Sequence, residues 1–532
     1  MHSYLIRGAQ VLDGSGCPAF QADVATAGDR IVEVGPRIDG PTEGTLDADG
    51  LVLAPGFIDI HSHTDLSIFE RPLSESKVLQ GVTAEVTGNC GIGPFPAEPR
   101  WRNLLTDYLR MHEGCLPEDG LGWADFSGYA ARLDRLALGV NLAPLVGHGA
   151  LRIAAMGADD RSPDAGELHR MEELLDVALR QGAWGMSTGL IYPPGSFAKT
   201  EEVIALGRVL GRQRALYTSH IRGEGDTVLE SLEEAVRIGQ ESGARVQVSH
   251  LKALGHRNFG RGREALARLE AARRAGVSVG ADQYPYTATS TSLSALVPAW
   301  AHAGGVAALL QRLADPALAE RLRGEIGQLL EARGGPARVS ICRAASAPNA
   351  HLSGKTLEEV AKAWNVQPEP AVVRLLIEER GTVSAVYFSL AEEDVDAIMA
   401  ANWVAVGSDG RGMSATHDAD TATHPRSYGT FPRVLGVYVR ERGLLSLPTA
   451  VRKMTGVPAE RLGLTDRGAV RPGYAADLVL FDPTTIRDRA DFQRPHQYPT
   501  GVEHVFVNGR PVVRDGRLSG ETPGRVLRRP RV

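Results

Sequence analysis

Hydrophobic positions along the chain fall mostly into short, β-branched runs, each followed by a longer polar stretch in which apolar residues recur at helical spacing. Runs at 57–60, 84–87, 142–146, 183–187, 216–219, 246–249, 277–280 and 404–407 are too short for helices and predict eight strands. Between them, 227–242 and 263–275 place apolar residues three and four apart and predict helices. Strands alternating with helices predict a parallel sheet, since each parallel crossover needs a connection that a helix supplies. Eight such units make a TIM-like (β/α)8 barrel. A ninth apolar run at 385–390 and the long interval before 404 do not fit a plain barrel. That interval is too long for a loop and is expected to hold an inserted subdomain over 290–350.

The two ends read differently. Residues 4–34 and 468–514 show short strands of alternating character, such as Tyr4-Leu5-Ile6 and Asp477-Leu478-Val479-Leu480-Phe481, separated by Gly, Pro and Asp turns. They predict a small β-sandwich built from both termini, over 1–55 and 466–532, leaving 56–289 and 351–465 to the barrel. No internal repeat or low-complexity linker interrupts this division.

Composition narrows the class of function. The 532 residues carry 58 Lys and Arg against 64 Asp and Glu, a formal net charge of −6, with no long basic run before the arginines at 525–532. This balance argues against a nucleic-acid partner, and the basic tail reads as a solvated end. No apolar window approaches membrane-spanning length, and the N-terminus lacks a basic region followed by an apolar core. The expectation is a soluble, cytoplasmic protein that acts on a small molecule. Four scattered cysteines, Cys17, Cys90, Cys115 and Cys342, do not form a disulfide framework.

The chemistry enters at the strand ends. His61 and His63 close the first run in APGFIDIHSHTD, and side chains two apart on a strand point to one face, where two imidazoles grip one metal ion. Later strands end in the same way: Asn89-Cys90-Gly91 after the second, Ser219-His220 after the fifth, Ser249-His250 after the sixth, and Ser408-Asp409-Gly410 after the eighth. A lone histidine or cysteine is more often structural, but six metal-competent side chains at the ends where a barrel places its catalytic groups form a constellation. Imidazole, thiolate and carboxylate suit zinc, and an open coordination position lowers the pKa of a bound water toward neutrality. Cys17, Cys115 and Cys342 have no such company and read as structural. His148 closes the third run and reads as a hydrogen-bonding partner for neighbouring loops; His417 and His424, flanking Asp418 and Asp420, either shape the pocket or face water.

The segments GFIDIHSHTD, GVTAEVTGNCGIGPFP, GLIYPPG, YTSHIRGEGD, QVSHLKALG, DQYPYTATSTSL, GSDG and HPRSYGTFPRVLG resemble, in order, the signature segments of the D-aminoacylase, or N-acyl-D-amino-acid deacylase, branch of the amidohydrolase superfamily. RGAVRPGYAADLVLFDP resembles a strand of that superfamily's small sandwich, so the likeness runs from residue 4 to 514. The resemblance implies zinc-dependent hydrolysis of N-acyl-D-amino acids to a carboxylate and a free D-amino acid, by attack of metal-bound hydroxide. It implies that Cys90, His220 and His250 hold a tightly bound zinc and that His61 and His63, sharing Cys90, line a second, weaker position. By the same likeness Asp409 is the general base, Tyr192 polarises the scissile carbonyl, and Lys252, Tyr284 and Arg426 receive the α-carboxylate. Cysteine at 90, where other members of the superfamily carry glutamate, places the chain with the D-aminoacylase type.

An amide hydrolase needs a nucleophile, a partner for the developing oxyanion and a proton for the departing nitrogen, and these residues supply all three. A D-residue dipeptidase, or a cyclic-amide hydrolase of the dihydroorotase or hydantoinase kind, is the rival enzyme; the latter usually bridges its metals with a carboxylated lysine, and no lysine stands near the end of the fourth run. A non-catalytic scaffold of the same fold would be expected to have lost ligands, and all six are present.

Overall fold

The computed structural model describes residues 1–344, 346–418 and 421–530. Among the described residues, eight parallel strands form the barrel: Phe57–Asp59, Val82–Thr87, a third strand in two pieces (Asn141–Pro144 and Val146–Gly147), Gly185–Gly189, Leu216–His220, Arg245–Val248, Val279–Gln283 and Val404–Val406. Each pairs with the next in sequence order. Leu145 splits the third strand, and the ladder passes the break through Leu145 N donating to Thr87 O at 2.9 Å and Trp184 N to Pro144 O at 3.0 Å. The eighth strand closes on the first where Asp409 N donates to His61 O at 2.7 Å and His63 N to Gly410 O at 2.9 Å. Almost every barrel-strand residue is buried, which is why these strands appear in the sequence as continuous apolar runs rather than as alternation. The expected helices form over Val228–Ser242 and Gly262–Arg274.

Two strands lie later than the apolar pattern suggests. The fourth runs to Gly189 rather than ending at 187, and the seventh spans Val279–Gln283 rather than 277–280. In the seventh, Asp282 and Gln283 are polar yet buried inside the barrel, so hydrophobicity stops marking the strand before the strand stops.

The insertion is built around a three-stranded antiparallel sheet in which Ser384–Tyr387 lies between Thr289–Ser292 and Val339–Arg343. One apolar cluster, including Leu293, Leu309, Ile326, Leu357, Leu375 and Tyr387, fills it. The ninth apolar run is therefore the central strand of this sheet, and the helices Leu357–Trp364 and Pro368–Glu378, beyond the expected limit of 350, pack into the same cluster. Helical periodicity shows an apolar face but not which core the face meets, so the pattern stopped the insertion too early.

Strands from both termini join one nine-stranded sheet in which Val52–Pro55 lies between His2–Val11 and Leu478–Phe481. The sheet curls until Arg30 bridges Ala475, and Ile6, Val24, Leu53, Leu480 and Phe506 fill its interior. The basic tail does not behave as a free end: Val526 and Leu527 are buried beneath the barrel, where Leu527 N donates to Leu142 O at 2.7 Å. Its last residues, Arg531 and Val532, lie outside the described residues, as does Asp420. Among the described residues no helix is long and apolar enough to cross a membrane.

Candidate metal centre

The carboxyl ends of the strands open into a cavity of about 390 Å³, roofed by the insertion sheet and by the loop that follows Asp409. His61 and His63 leave the first strand, Cys90 the second, His220 and His250 the fifth and sixth, and Asp409 the eighth. Two overlapping sets of ligand atoms result: His61, His63, Cys90 and Asp409, and Cys90, His220 and His250, with the atoms of each set within 4.8 Å of one another. Cys90 belongs to both. Its Sγ lies 3.3 Å from His61 Nε2 and 3.4 Å from His250 Nε2, while His63 Nε2 lies 3.1 Å from Asp409 Oδ1.

Backbone conformation aims these groups. Cys90, His250 and Asp409 have φ of 54°, 35° and 51°, a region that L-residues rarely occupy. Three non-glycine residues in that region at one site mark strain that the surrounding packing over-determines. Glycines follow two of them: Gly91 at φ 72°, where an added Cβ would stand 2.6 Å from Gly189 N, and Gly410, where it would stand 2.9 Å from Ser427 Cα.

Carboxylates that the sequence reading did not single out stand behind the imidazoles. Asp282 Oδ1 lies 3.0 Å from His61 Nδ1 and accepts from His250 N at 2.7 Å. Glu113 Oε1 lies 3.4 Å from His63 Nδ1, and Glu224 Oε1 lies 3.1 Å from His250 Nδ1. Asp282 was hidden by the early end given to the seventh strand. Glu224, four residues after His220, sits within a quoted segment but outside any hydrophobic period.

Electrostatics suit a cation at this centre. Burial raises the Cys90 thiol, yet the imidazoles of His61 and His250 outweigh it and hold the group well below its ordinary range, as a thiolate. Burial likewise raises Asp409, and Arg426 together with His61 pulls it well below the carboxylate range. Among the described residues both ring nitrogens of His220 are buried without a hydrogen-bond partner, and Glu224 Oε2 lies 3.4 Å from Nε2. An orphaned imidazole facing a thiolate is what a bound divalent metal would resolve, so the donor set fits zinc.

The remaining expected residues line the same cavity. Arg426 opens the helix Arg426–Arg433, with Nη1 2.7 Å from Asp409 Oδ2 and Nη2 donating to Ser290 O at 3.1 Å. The Tyr284 ring lies 4.9 Å from the Arg426 guanidinium, and the Tyr284 hydroxyl is buried with no hydrogen-bond partner among the described residues. Lys252 Nζ donates to Glu224 Oε1 at 2.6 Å and lies 2.7 Å from His250 Nδ1. Tyr192 comes from the loop after the fourth strand, its ring 5.0 Å from that of His220 and its hydroxyl 2.8 Å from Thr291 Oγ1 of the insertion.

Other polar residues separate clearly. His148 does not line the cavity; its Nε2 pairs with Glu202 at 2.8 Å. His424 does, but both nitrogens are engaged, Nδ1 accepting from Arg426 N at 3.0 Å and Nε2 donating to Ala288 O at 3.0 Å. His417 also lines the cavity and pairs through Nδ1 with Ser414 Oγ at 3.0 Å, and Asp418 pairs with Arg71 at 3.3 Å. Cys115 and Cys342 line the wall with thiols that burial pushes up to about 12, far from thiolate chemistry.

A parallel barrel whose strand ends bring imidazoles, a thiolate and a carboxylate together is the architecture of the amidohydrolases, and the amidohydrolase family matches residues 44–513. An N-acyl-D-aspartate deacylase of Alcaligenes xylosoxydans xylosoxydans is 39% identical over 525 residues, covering 98% of this chain and 94% of the relative. A D-aminoacylase of the same organism is 38% identical, covering 99% and 97%. The crystal structure of N-acyl-D-glutamate deacylase from Bordetella bronchiseptica, complexed with zinc and a phosphonate mimic of the tetrahedral intermediate, superposes with a TM-score of 0.82 at 36% identity, covering 99% of each chain. The chain belongs to the D-aminoacylase, or N-acyl-D-amino-acid deacylase, branch of the amidohydrolases.

Proposed function

We propose that the chain hydrolyses the amide bond of N-acyl-D-amino acids, releasing a carboxylate and the free D-amino acid, with zinc held at the Cys90 centre. One observation carries the reading: the Cys90 cluster lies in the same cavity as Lys252, Tyr284 and Arg426, so a metal-competent centre and a carboxylate-binding wall face one space. The relatives named for deacylation of D-aspartate and D-glutamate derivatives, and the zinc in the Bordetella structure, support it. In this reading Cys90, His220 and His250 hold the tight zinc, and His61 and His63, with Cys90, line a weaker second position. When bound, the metal supplies Lewis acidity toward the carbonyl and a water acidic enough to act as a nucleophile near neutral pH.

The side chains do the rest. Arg426 offers its guanidinium charge to the α-carboxylate, and Lys252 and the Tyr284 hydroxyl complete its recognition. Tyr192, whose phenol burial holds well above its ordinary pKa and therefore protonated, donates to the carbonyl oxygen as charge develops there. Asp409, held ionised by Arg426 and His61 against its burial, takes the proton of the attacking nucleophile and returns it to the leaving nitrogen. The barrel carries this chemistry, the insertion roofs it, and the sheet built from the ends braces the barrel. The four cysteines are all free, which supports a reducing compartment, the cytoplasm, as the place of action.

The test is an assay of the zinc-loaded protein against paired N-acetyl-D- and N-acetyl-L-amino acids. We expect turnover of the D series and a fall in kcat of about 10²–10⁴-fold in Asp409→Asn. Equal rates on both stereoisomers would sink the deacylase reading, and an unimpaired Asp409→Asn would remove that residue from its role.

A further inference from the structure

The edge strand of the insertion sheet, Thr289–Ser292, touches the site at two adjacent residues. It pairs on one side only, with Ser384–Tyr387, where Ser290 stands opposite Val386 and Thr291 opposite Ala385. An edge strand has carbonyls that its ladder leaves open to other donors. Ser290 O accepts from Arg426 Nη2 at 3.1 Å, and Thr291 Oγ1 lies 2.8 Å from the Tyr192 hydroxyl. One strand therefore holds both the arginine proposed to receive the α-carboxylate and the phenol proposed to meet the scissile carbonyl.

The strand is a firmer support than the loop that carries Tyr192. Leu293, which follows it, and Tyr387, which pairs with Thr289, are fully buried in the cluster that fills the insertion. Tyr192 stands on a connection, and among the described residues Thr291 is the hydrogen-bond partner of its hydroxyl. A phenol has one proton to give and lone pairs to receive with. While Tyr192 donates to a carbonyl oxygen, its own oxygen accepts from the Thr291 hydroxyl. That contact fixes the tip of the ring and strengthens the bond it gives.

We propose that Thr291 is a positioning residue that acts through Tyr192, so that the insertion takes part in the chemistry rather than only roofing the cavity. The proposal rests on the deacylase reading above. Its test compares steady-state kinetics on N-acetyl-D-amino acids of the zinc-loaded parent, Thr291→Val, Thr291→Ser, Tyr192→Phe, and Thr291→Val combined with Tyr192→Phe. Thr291→Val removes the hydroxyl and keeps a β-branched residue in the strand, so it should fold as the parent does. It is expected to lower kcat about 3–10-fold, the effect of losing one neutral hydrogen bond, with KM changed by less than about twofold. Thr291→Ser keeps the hydroxyl and should recover most of kcat. In Tyr192→Phe the group that Thr291 serves is already gone, so adding Thr291→Val should change kcat by less than about twofold. Should Thr291→Val fail to fold, Thr291→Ala takes its place in every comparison.

A parental kcat in Thr291→Val overturns the proposal. So does an equal loss in the parent and in the Tyr192→Phe background, since Thr291 would then act on something other than the phenol. A loss that Thr291→Ser does not repair, or one confined to KM, overturns it as well, the first assigning the effect to the methyl group and the second to substrate binding. Failure of the underlying reading shows elsewhere: in a parent inactive on N-acyl-D-amino acids, or in a Tyr192→Phe variant of parental kcat, and either result takes this proposal with it.

Discussion

Cys90 is the residue on which the site turns, because its thiolate is the member common to both ligand sets. It is 3% exposed, and a free buried cysteine ordinarily packs as a small hydrophobe with a raised pKa. Here the surrounding imidazoles reverse that shift, which separates Cys90 from Cys115 and Cys342 on the same cavity wall. Cys90→Ala should leave the fold nearly intact and lower zinc affinity by more than about 100-fold, beyond the effect of losing a partner behind a ligand. Metal analysis of the purified variant after dialysis decides this; retention of one tightly held zinc would move the tight site elsewhere. At this scale the sequence was informative where chemistry coincides with a strand end, as at His61, Cys90, His220, His250 and Asp409. It was silent on Asp282, Glu113 and Glu224, whose meaning comes from what stands opposite them.

Among the elements, the turn Ser408-Asp409-Gly410 shows how a catalytic conformation is held. The short helix Glu75–Val78 delivers Lys77 into the barrel, fully buried, where Nζ donates to Asp59 Oδ2 and Ser408 Oγ at 2.7 Å and to Gly410 O at 3.2 Å. Asp59 Oδ1 in turn accepts from Ser408 N at 2.9 Å. The Lys77 and Asp59 pair thus grips both sides of Asp409 while its φ stays positive. Removing one partner of such a pair leaves a buried charge uncompensated, so Lys77→Met should destabilise the protein by about 3–5 kcal/mol and lower kcat more than it raises KM. Denaturant unfolding alongside steady-state kinetics would show it, and a variant of parental stability with unchanged kcat would reduce the pair to a bystander. Nothing in the local sequence marks Lys77, because a lysine normally faces water.

Across the whole molecule the chain ends act as structural parts of the barrel. The segment after residue 524 runs under the barrel floor, with Leu142 N donating to Arg525 O at 3.0 Å, Trp184 Nε1 to Leu527 O at 2.6 Å and Arg529 Nε to Ala183 O at 3.3 Å. Val526 and Leu527 are 4% and 8% exposed. Ending the chain at 524 should remove about 3–6 kcal/mol of apolar burial and lower the thermal unfolding midpoint, with the cavity at the opposite end of the strands left intact. Scanning calorimetry of the truncated protein is the check, and an unchanged midpoint would return the tail to the solvated end that its arginines suggested.

Local sequence by itself determined the barrel, the presence of an insertion and the metal-competent residues, because strands buried on both faces must be continuously apolar and their chemistry must stand where that apolarity stops. It also determined that both ends form strands. Tertiary structure decided which core each helix of the insertion joins, since an amphipathic face does not name its partner. It decided the carboxylates behind the histidines as well, because Asp282, Glu113 and Glu224 act through side chains brought from other strands and loops, and no local period records a distance across a barrel.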